Sequence, residues 1–454
     1  MKKRIISVLF MTAMVFILTS CGGLTGTKST GQAKADHSKE GDVINFLVYQ
    51  DTMKNVLNAY YPEVKATSED GEYTYLKDGT TIHWIVNEAE AFQYKLDDYI
   101  KVQYSVPADQ RIDIVDLEGD YMKKYLEMGI CVPLSDIGIT PEDMKDQYQY
   151  TKDAITRDGE ICGTSMEVAP GLFAYRRSIA KDVLGTDDPD EVQKALADWD
   201  SFDEVAEKAR QKGYYMLSGF ADAYRVFANN TSAPWVSDDK TVKVDPAIME
   251  WVEMTKRYTD MGYNNRSVNV FTEKWMNDQK PDAKVFGFFY STWGVNFTLV
   301  SNAGEEGYGD WAVCKGPMPF YWGASWLTAM DKTDNPEHIR DIMNALTCNR
   351  EVMKNISLGI NTFVNNSEVM TEIASDPDCG SDFLKGQNHL ALFNEVAPTL
   401  KLDNLCAYDQ GCTLDMIYTF TDYYLGNIPL DTAKKRFEIA IKDRYPNITS
   451  VVWP

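Results

Sequence analysis

VINFLVYQDTMKNVLNAYYP, residues 43–62, is the stretch that decides the fold class of this chain. Residues 43–49 are rich in Val, Ile, Phe and Tyr and follow the alternation of a β-strand. From Met53 onward apolar residues recur at helical spacing, until Pro62 ends the pattern. The stretch therefore predicts a strand that runs directly into an amphipathic helix.

The same order of strand and helix continues along the chain. Residues 80–86 are a second predicted strand, residues 91–104 a second amphipathic helix, and residues 112–117 a third strand. This alternation predicts an α/β fold with a largely parallel sheet, helices on both faces and a binding crevice beyond the carboxyl ends of the strands. The loops at residues 49–51 and 117–121 are expected at those ends.

The first residues have the pattern of an export signal. A basic start at residues 2–4 precedes an apolar run at residues 5–18 that is too short for a stable membrane span, and Cys21 follows small residues. This pattern resembles the lipobox of exported bacterial lipoproteins, in which the cysteine receives a diacylglycerol and becomes the new N-terminus. The resemblance implies a signal peptide over residues 1–20, lipidation of Cys21 and a location outside the cytoplasm, at the cell membrane.

Residues 21–41 are small and polar, with many Gly, Ser and Thr, and predict a flexible tether between the lipid and a globular body that begins near Asp42. Two alternatives are an ordinary signal peptide with a cysteine near the cut by chance, and a transmembrane anchor. The second alternative is disfavoured because no further apolar run of about 20 residues occurs in the chain.

Charge and composition exclude several partners. The net charge is −23, so nucleic acids and anionic lipid surfaces are poor partners, and a neutral or cationic ligand fits better. Four His without paired spacing and no Cys-x-x-Cys argue against a His- or Cys-based metal site, and no cofactor is expected. The acidic run at residues 187–190 lacks the glycine and glutamate of a calcium loop and predicts a solvated turn. Cys406 and Cys412 are close enough in sequence to form a disulfide in an oxidising compartment, which the sequence leaves open.

Five later segments stand in a specific order: DGEICGTSMEVAPGLFAYRRS (residues 158–178), WDSFDE (199–204), FGFFYSTWG (286–294), GASWLT (323–328) and the helix start at 335–346. Together they resemble the extracellular solute-binding proteins of ATP-driven sugar importers, the family that contains maltodextrin-binding protein. One departure is Ser165-Met166, where the family usually has a proline. The resemblance extends over essentially the whole exported part.

The resemblance implies a periplasmic-binding-protein type II-like fold, with two α/β lobes, hinge crossovers and a ligand cleft between the lobes. By analogy the N-terminal lobe comprises residues 42–169 and 324–362, and the C-terminal lobe residues 170–323 and 363–454. It further implies a monomer that delivers its ligand to the permease subunits of an ABC transporter.

Candidate site residues combine aromatic rings, which stack on the flat CH faces of sugars, with polar groups that hydrogen-bond their hydroxyls. They lie near turns, after strands or at positions that match the family's cleft edge. The candidate ligand-binding residues are Tyr49, Asp51, Glu118, Glu167, Tyr175, Arg225, Trp235, Trp293, Trp322, Trp326, Tyr408 and Asp409.

The sequence therefore predicts a lipid-anchored receptor that captures a carbohydrate, expected to be an oligosaccharide, and is not an enzyme. A binding protein for a polyamine or a peptide is the alternative within the same architecture. A secreted glycoside hydrolase with two carboxylates is a further alternative, although the abundance of carboxylates in the chain supports it little.

Overall fold

The computed structural model describes residues 32–454. Within them the strands are β1 (Val43–Val48), β2 (Val64–Thr67), β3 (Tyr73–Leu76), β4 (Thr81–Val86), β5 (Ile114–Glu118), β6 (Thr156–Arg157), β7 (Glu160–Ile161), β8 (Gly171–Arg176), β9 (Leu217–Gly219), β10 (Thr241–Lys243), β11 (Asn264–Ser267), β12 (Gly287–Ser291), β13 (Trp311–Cys314), β14 (Ser325–Ala329) and β15 (Ser450–Val452).

The helices of the same residues are α1 (Thr52–Tyr60), α2 (Ala89–Val102), α3 (Met122–Met128), α4 (Gln149–Ala154), α5 (Arg177–Leu184), α6 (Pro189–Ala195), α7 (Trp199–Gln211), α8 (Tyr224–Ala228), α9 (Pro246–Met261), α10 (Glu273–Asn277), α11 (Val300–Ala303), α12 (Pro336–Thr347), α13 (Arg350–Ile360), α14 (Ser367–Ala374), α15 (His389–Val396), α16 (Asp409–Tyr424) and α17 (Leu430–Arg444). None of these helices is long and apolar enough to span a bilayer.

The first sheet has six strands in the order β14-β5-β1-β4-β3-β2. The predicted strands β1, β4 and β5 pair in parallel at its centre, so their carboxyl ends lie at one edge. The prediction of a largely parallel sheet needs correction, because β14 is antiparallel to β5, and an unpredicted hairpin, β2–β3, continues the sheet antiparallel from β4. In β1 all residues after Val43 are buried, as expected for a central strand covered on both faces.

The second sheet is built from the middle of the chain. Its strands β12, β8 and β13 are antiparallel, and a bridge between Tyr215 and Val285 joins them to the parallel pair β9 and β11. One face of this sheet packs with Phe202, Trp251 and α16–α17, and the other face joins the apolar core that extends into the first sheet. The molecule therefore consists of two α/β lobes, each organised around its own sheet.

The chain crosses between the two sheets at three places that lie side by side. Isolated bridges pair Thr164 with Leu327, Glu167 with Val364, and Pro170 with Tyr321. These segments agree with the three crossovers that the family resemblance implies, while the residue limits of the lobes remain a prediction.

Part of the predicted tether packs on the first sheet's lobe. Ala33 and Ala35 are buried, the backbone N–H of Ala35 donates to Asp136, and Glu40 accepts hydrogen bonds from the first two helical N–H groups after Pro336. The composition of this segment predicted flexibility, because small polar residues give no local indication of these long-range contacts. The signal peptide, Cys21 and the start of the tether lie outside the described residues.

Candidate functional site

Carboxylates gather at the edge where β1 and β5 end. Asp116 and Glu118 lie two residues apart on β5 and therefore point to the same face of the sheet. Glu167 lies at the first crossover, and its Oε2 accepts a hydrogen bond of 2.8 Å from Thr362 Oγ1. Burial raises the pKa of Tyr49, directly after β1, and the negative charges of Asp116, Glu118 and Glu167 raise it further. We call Asp116, Glu118 and Glu167 the acidic cluster.

Burial shapes the electrostatics of the acidic cluster. It raises the pKa of Asp116 to about 7, and it also raises the pKa of Glu167. Burial and repulsion from Asp120 hold the pKa of Glu118 well above its usual value, although Arg225 acts in the opposite direction. A ligand that donates hydrogen bonds or carries positive charge would favour the ionised form of these groups.

Several buried oxygens around the cluster have no hydrogen-bond partner within the described residues. They are Asp116 Oδ1 and the hydroxyls of Tyr121 and Tyr321, and their residues are at most 7% exposed. The pKa values of both tyrosines are raised by burial and by the neighbouring charge of Glu118. Buried polar atoms are normally paired, so these oxygens are candidates for hydrogen bonds to a ligand.

Three aromatic side chains form what we call the aromatic wall: Phe271, Trp293 and Trp322. The rings of Trp293 and Trp322 meet edge to face at 5.0 Å, and Phe271 stacks on Trp293 with centroids 6.1 Å apart. Trp293 Nε1 donates to the carbonyl of Trp322 at 2.9 Å, which fixes the indole. Phe271 has a φ of 60°, a strained conformation for a bulky residue and of the kind found at binding sites.

An ion pair between the lobes connects the aromatic wall with the acidic cluster. Arg225 on α8 donates from Nη1 and Nη2 to the two carboxylate oxygens of Asp120 at 2.5 and 2.6 Å. Its guanidinium also lies 5.7 Å from the ring centroid of Trp322. Asp120 follows β5 of the first sheet, so this inter-lobe pair holds the two lobes in contact.

The lobes approach each other closely beside this pair. A Cβ at Gly119 would lie 1.9 Å from the Tyr321 hydroxyl, so the backbone at this position leaves no room for a side chain. Next to the inter-lobe pair lies a cavity of about 280 Å³. Its lining comes from both lobes: Gly119, Asp120, Arg225, Ala228, Asn229, Asn230, Thr231, Trp235, Pro319, Tyr321, Thr399, Leu400, Lys401, Leu402, Asp403, Asn404, Leu405, Asp409 and Thr413.

The structure brings most of the predicted site residues together in two groups. Tyr49, Glu118 and Glu167 lie within electrostatic reach of one another at the strand ends. The second group surrounds Arg225: Trp322 and Trp293 belong to the aromatic wall, and Trp235 and Asp409 line the cavity. Burial raises the pKa of Asp409 to about 7.

Four predicted residues lie outside these two groups. For the three buried ones, Trp326, Tyr175 and Tyr408, the structure corrects the assignment, whereas the exposed Asp51 stays a prediction. Trp326 is fully buried, and its Nε1 donates to the Thr151 carbonyl in the core. Tyr175 is fully buried and donates to the Asp187 carbonyl.

Tyr408 packs edge to face on Tyr445 within the second lobe's core. Asp51 is exposed and pairs with Lys54 one helical turn away. Alternation along strands and proximity to turns placed the three buried residues near the site, but neither signal shows which side of a strand or loop faces the cleft.

Sequence reasoning missed other residues of the site. Asp116 and Asp120 flank the predicted Glu118, and the two-residue period of β5 was a signal for Asp116. Phe271 and Tyr321 gave no such signal, because each reaches the site through a loop whose path depends on the tertiary structure.

The described residues show no metal or disulfide chemistry. No group of three His, Cys, Asp or Glu side chains among them is placed to hold a metal ion. Asp188 of the acidic turn caps α6 by accepting from the N–H groups of Asp190 and Glu191. The seven cysteines of residues 32–454 are free thiols, and Cys406 donates to Asp409 instead of pairing with Cys412.

Two α/β lobes, three adjacent crossovers and a polar and aromatic cleft between the lobes define the class of type II periplasmic-binding-like proteins. Residues 89–378 match the family of bacterial extracellular solute-binding proteins, and the chain belongs to this family. Its members are extracytoplasmic binding proteins. No curated protein matches the chain.

Solved structures share this fold at low identity. The chain is 16% identical to an extracellular solute-binding protein of family 1, with a TM-score of 0.71, and the similarity covers 89% of this chain and 100% of that one. The galacto-N-biose/lacto-N-biose I-binding protein of the ABC transporter from Bifidobacterium longum, in complex with lacto-N-biose, is 12% identical, with a TM-score of 0.68 and coverage of 91% and 100%.

The sugar-binding protein MalE from the phytopathogen Xanthomonas citri is 13% identical, with a TM-score of 0.65 and coverage of 88% and 97%. At these identities the similarity shows a shared fold. The two-lobe architecture predicted from the sequence is thereby confirmed.

Proposed function

We propose that this chain is the receptor of an ABC importer and that it captures a carbohydrate, expected to be an oligosaccharide, in the cleft between its lobes. The observation that carries this proposal is the aromatic wall beside buried oxygens that have no hydrogen-bond partner among the described residues. Stacked rings match the CH faces of a sugar, and carboxylates and tyrosine hydroxyls match its hydroxyl groups.

The similar structures support a carbohydrate as the ligand. The Bifidobacterium longum protein is bound to lacto-N-biose, and the Xanthomonas citri protein is named as sugar-binding. In this chain the proposed lobes comprise residues 42–169 with 324–362, and 170–323 with 363–454.

The proposed mechanism is closure of the two lobes. A ligand that contacts both lobes binds the closed state better than the open state and shifts the population towards it. The closed monomer then presents the ligand to the permease subunits. Binding without turnover is sufficient for this role, so we propose no catalytic residues.

We further propose that lipidated Cys21 anchors the receptor at the outer side of the membrane. Replacement of Cys21 by Ser in the full chain should move the protein from the membrane fraction to the soluble fraction of a bacterial host. Retention of the Cys21→Ser variant in the membrane fraction would contradict the lipid anchor.

The proposed function is tested with residues 32–454 in a thermal-shift screen of neutral mono- and oligosaccharides, polyamines and peptides. A ligand at 100 times its dissociation constant should stabilise the folded state by about 2.7 kcal/mol. Chromatography of the incubated sugar checks for turnover. A shift only with a polyamine or a peptide would contradict the carbohydrate assignment, and conversion of the sugar would identify an enzyme.

A further inference from the structure

Negative charge exceeds positive charge in the cleft. Asp116, Glu118, Asp120 and Glu167 are carboxylates, and Arg225 forms a bidentate pair with Asp120. Among the described residues, Arg225 favours the ionised form of Glu118 but forms its ion pair with Asp120. The three carboxylates of the acidic cluster therefore form no ion pair within the described residues, and burying unpaired carboxylates costs free energy.

The cluster also has a buried oxygen available. Asp116 is 3% exposed and its Oδ1 has no hydrogen-bond partner among the described residues. The charge of Glu167 raises the pKa of Asp116, and both charges raise the pKa of Tyr49, so these groups are electrostatic neighbours at the strand ends. An ammonium group offers three N–H donors and a positive charge, whereas a hydroxyl offers one donor and no charge.

We propose that the carbohydrate captured in this cleft carries a free amine, and that its ammonium group binds among Asp116, Glu118 and Glu167. The ligand class is thus an amino sugar or an oligosaccharide that contains one. This inference rests on the proposed function, because it specifies the ligand of the same cleft.

The aromatic wall separates this class from a simple polyamine. Phe271, Trp293 and Trp322 place aromatic rings beside the inter-lobe pair, with the Trp322 ring centroid 5.7 Å from the Arg225 guanidinium. A polyamine has no flat CH face to stack on these rings, and a neutral sugar leaves the carboxylates without a counter-charge. An amino sugar meets both requirements.

Calorimetric titration of residues 32–454 tests the inference with matched ligands. The probes are glucosamine and galactosamine, their neutral parent sugars, their N-acetyl derivatives and the β-1,4-linked disaccharides of each, with spermidine as an amine that is not a sugar. One amine-bearing sugar should bind at least about tenfold more tightly than its neutral parent and its N-acetyl derivative, as for close charge pairs at interfaces.

Two isosteric variants locate the amine. Glu118→Gln and Glu167→Gln should each reduce the preference for the amine at least about threefold. Glu253→Gln is the matched control, because it removes the same charge from an exposed position on α9 and should leave the preference unchanged.

The possible outcomes separate the two proposals. Neutral sugars that bind as tightly as their amine counterparts would overturn the amino-sugar inference and leave the carbohydrate receptor intact. Binding of spermidine without any sugar would overturn both. An amine preference that survives in both cluster variants would overturn the placement of the ammonium group.

Discussion

Single residues of one type take different roles in this protein according to their position. Trp322 and Trp293 form the aromatic wall, whereas Trp326, only four residues after Trp322, is fully buried with its indole bonded to Thr151. β14 begins between Trp322 and Trp326, so the second side chain belongs to the first sheet's core. A tryptophan near a predicted cleft segment is therefore informative only when the strand boundary is known.

His389 gives a prediction about pH at the residue scale. Its ring is fully buried on α15, and neither nitrogen has a partner among the described residues. Burial lowers the pKa of His389 from 6.5 to about 4. The unfolded chain therefore takes up a proton at a higher pH than the folded chain, and this residue's effect lowers stability as the pH falls from 6.5 to 4.

Replacing His389 by Leu should remove this loss, which amounts to about 3 kcal/mol of unfolding free energy by pH 4. Urea unfolding of the wild type and the variant at pH 7 and near pH 4 measures the difference. The exposed His37, replaced by Gln, serves as control. If the free energy of unfolding depends on pH equally in the wild type and in His389→Leu, His389 is hydrogen-bonded or protonated in the folded state.

At the scale of elements, parallel strands made part of the site predictable. β1 and β5 pair in parallel, so Tyr49 after the first and Glu118 at the end of the second had to approach each other at one edge. The same geometry accounts for Asp116, which shares a face of β5 with Glu118.

The segment of residues 33–41 gives a prediction at the element scale. It buries Ala33 and Ala35, and the Glu40 carboxylate accepts from the N–H groups of Glu337 and His338 at the start of α12. The free energy of unfolding of a chain that begins at Asp42 should be about 2 kcal/mol lower than that of a chain that begins at Gln32, because a helix cap and buried contacts are lost.

Urea denaturation of the two chains measures this difference. Within the longer chain, Glu40→Ala should lower the free energy of unfolding by about 1 kcal/mol, because the helix cap is lost. Lys39→Ala, at an exposed neighbouring position, should have little effect. Equal stability of the two chains would show that the segment makes no net contribution.

At the scale of the whole molecule, the inter-lobe pair joins the two lobes. Burial acts to lower the pKa of Arg225, but the Asp120 carboxylate outweighs it and holds that pKa above its usual value. A hydrogen bond from Gln93 on α2 to Gln410 on α16 adds a second contact between the lobes. The described arrangement of the lobes therefore has stabilising contacts of its own, without a ligand.

Removing one partner should shift the lobes towards the open state. Asp120→Asn should reduce the closed population, and with it the affinity for ligand, by about tenfold, since bonds to charged groups contribute about 1.5 kcal/mol or more. Small-angle X-ray scattering should show a larger radius of gyration without ligand, and a saturating ligand should reverse it. Arg257→Gln breaks an ion pair with Asp203 inside one lobe and is the control. An unchanged radius for Asp120→Asn would show that the pair does not govern closure.

The sequence by itself determined the α/β class, the order of the segments shared with the family and the carboxylates at the strand ends. These features depend on local periodicity and on the rule that parallel strands end at one edge. The tertiary structure alone decided that Trp326 is core, that Phe271 joins the aromatic wall, that Asp120 pairs with Arg225 and that residues 33–41 pack on the first lobe. Each of these contacts joins parts of the chain that are far apart in sequence or depends on which face of a strand is covered. Local sequence patterns do not encode such contacts, because they arise only when the two lobes and their crossovers are assembled.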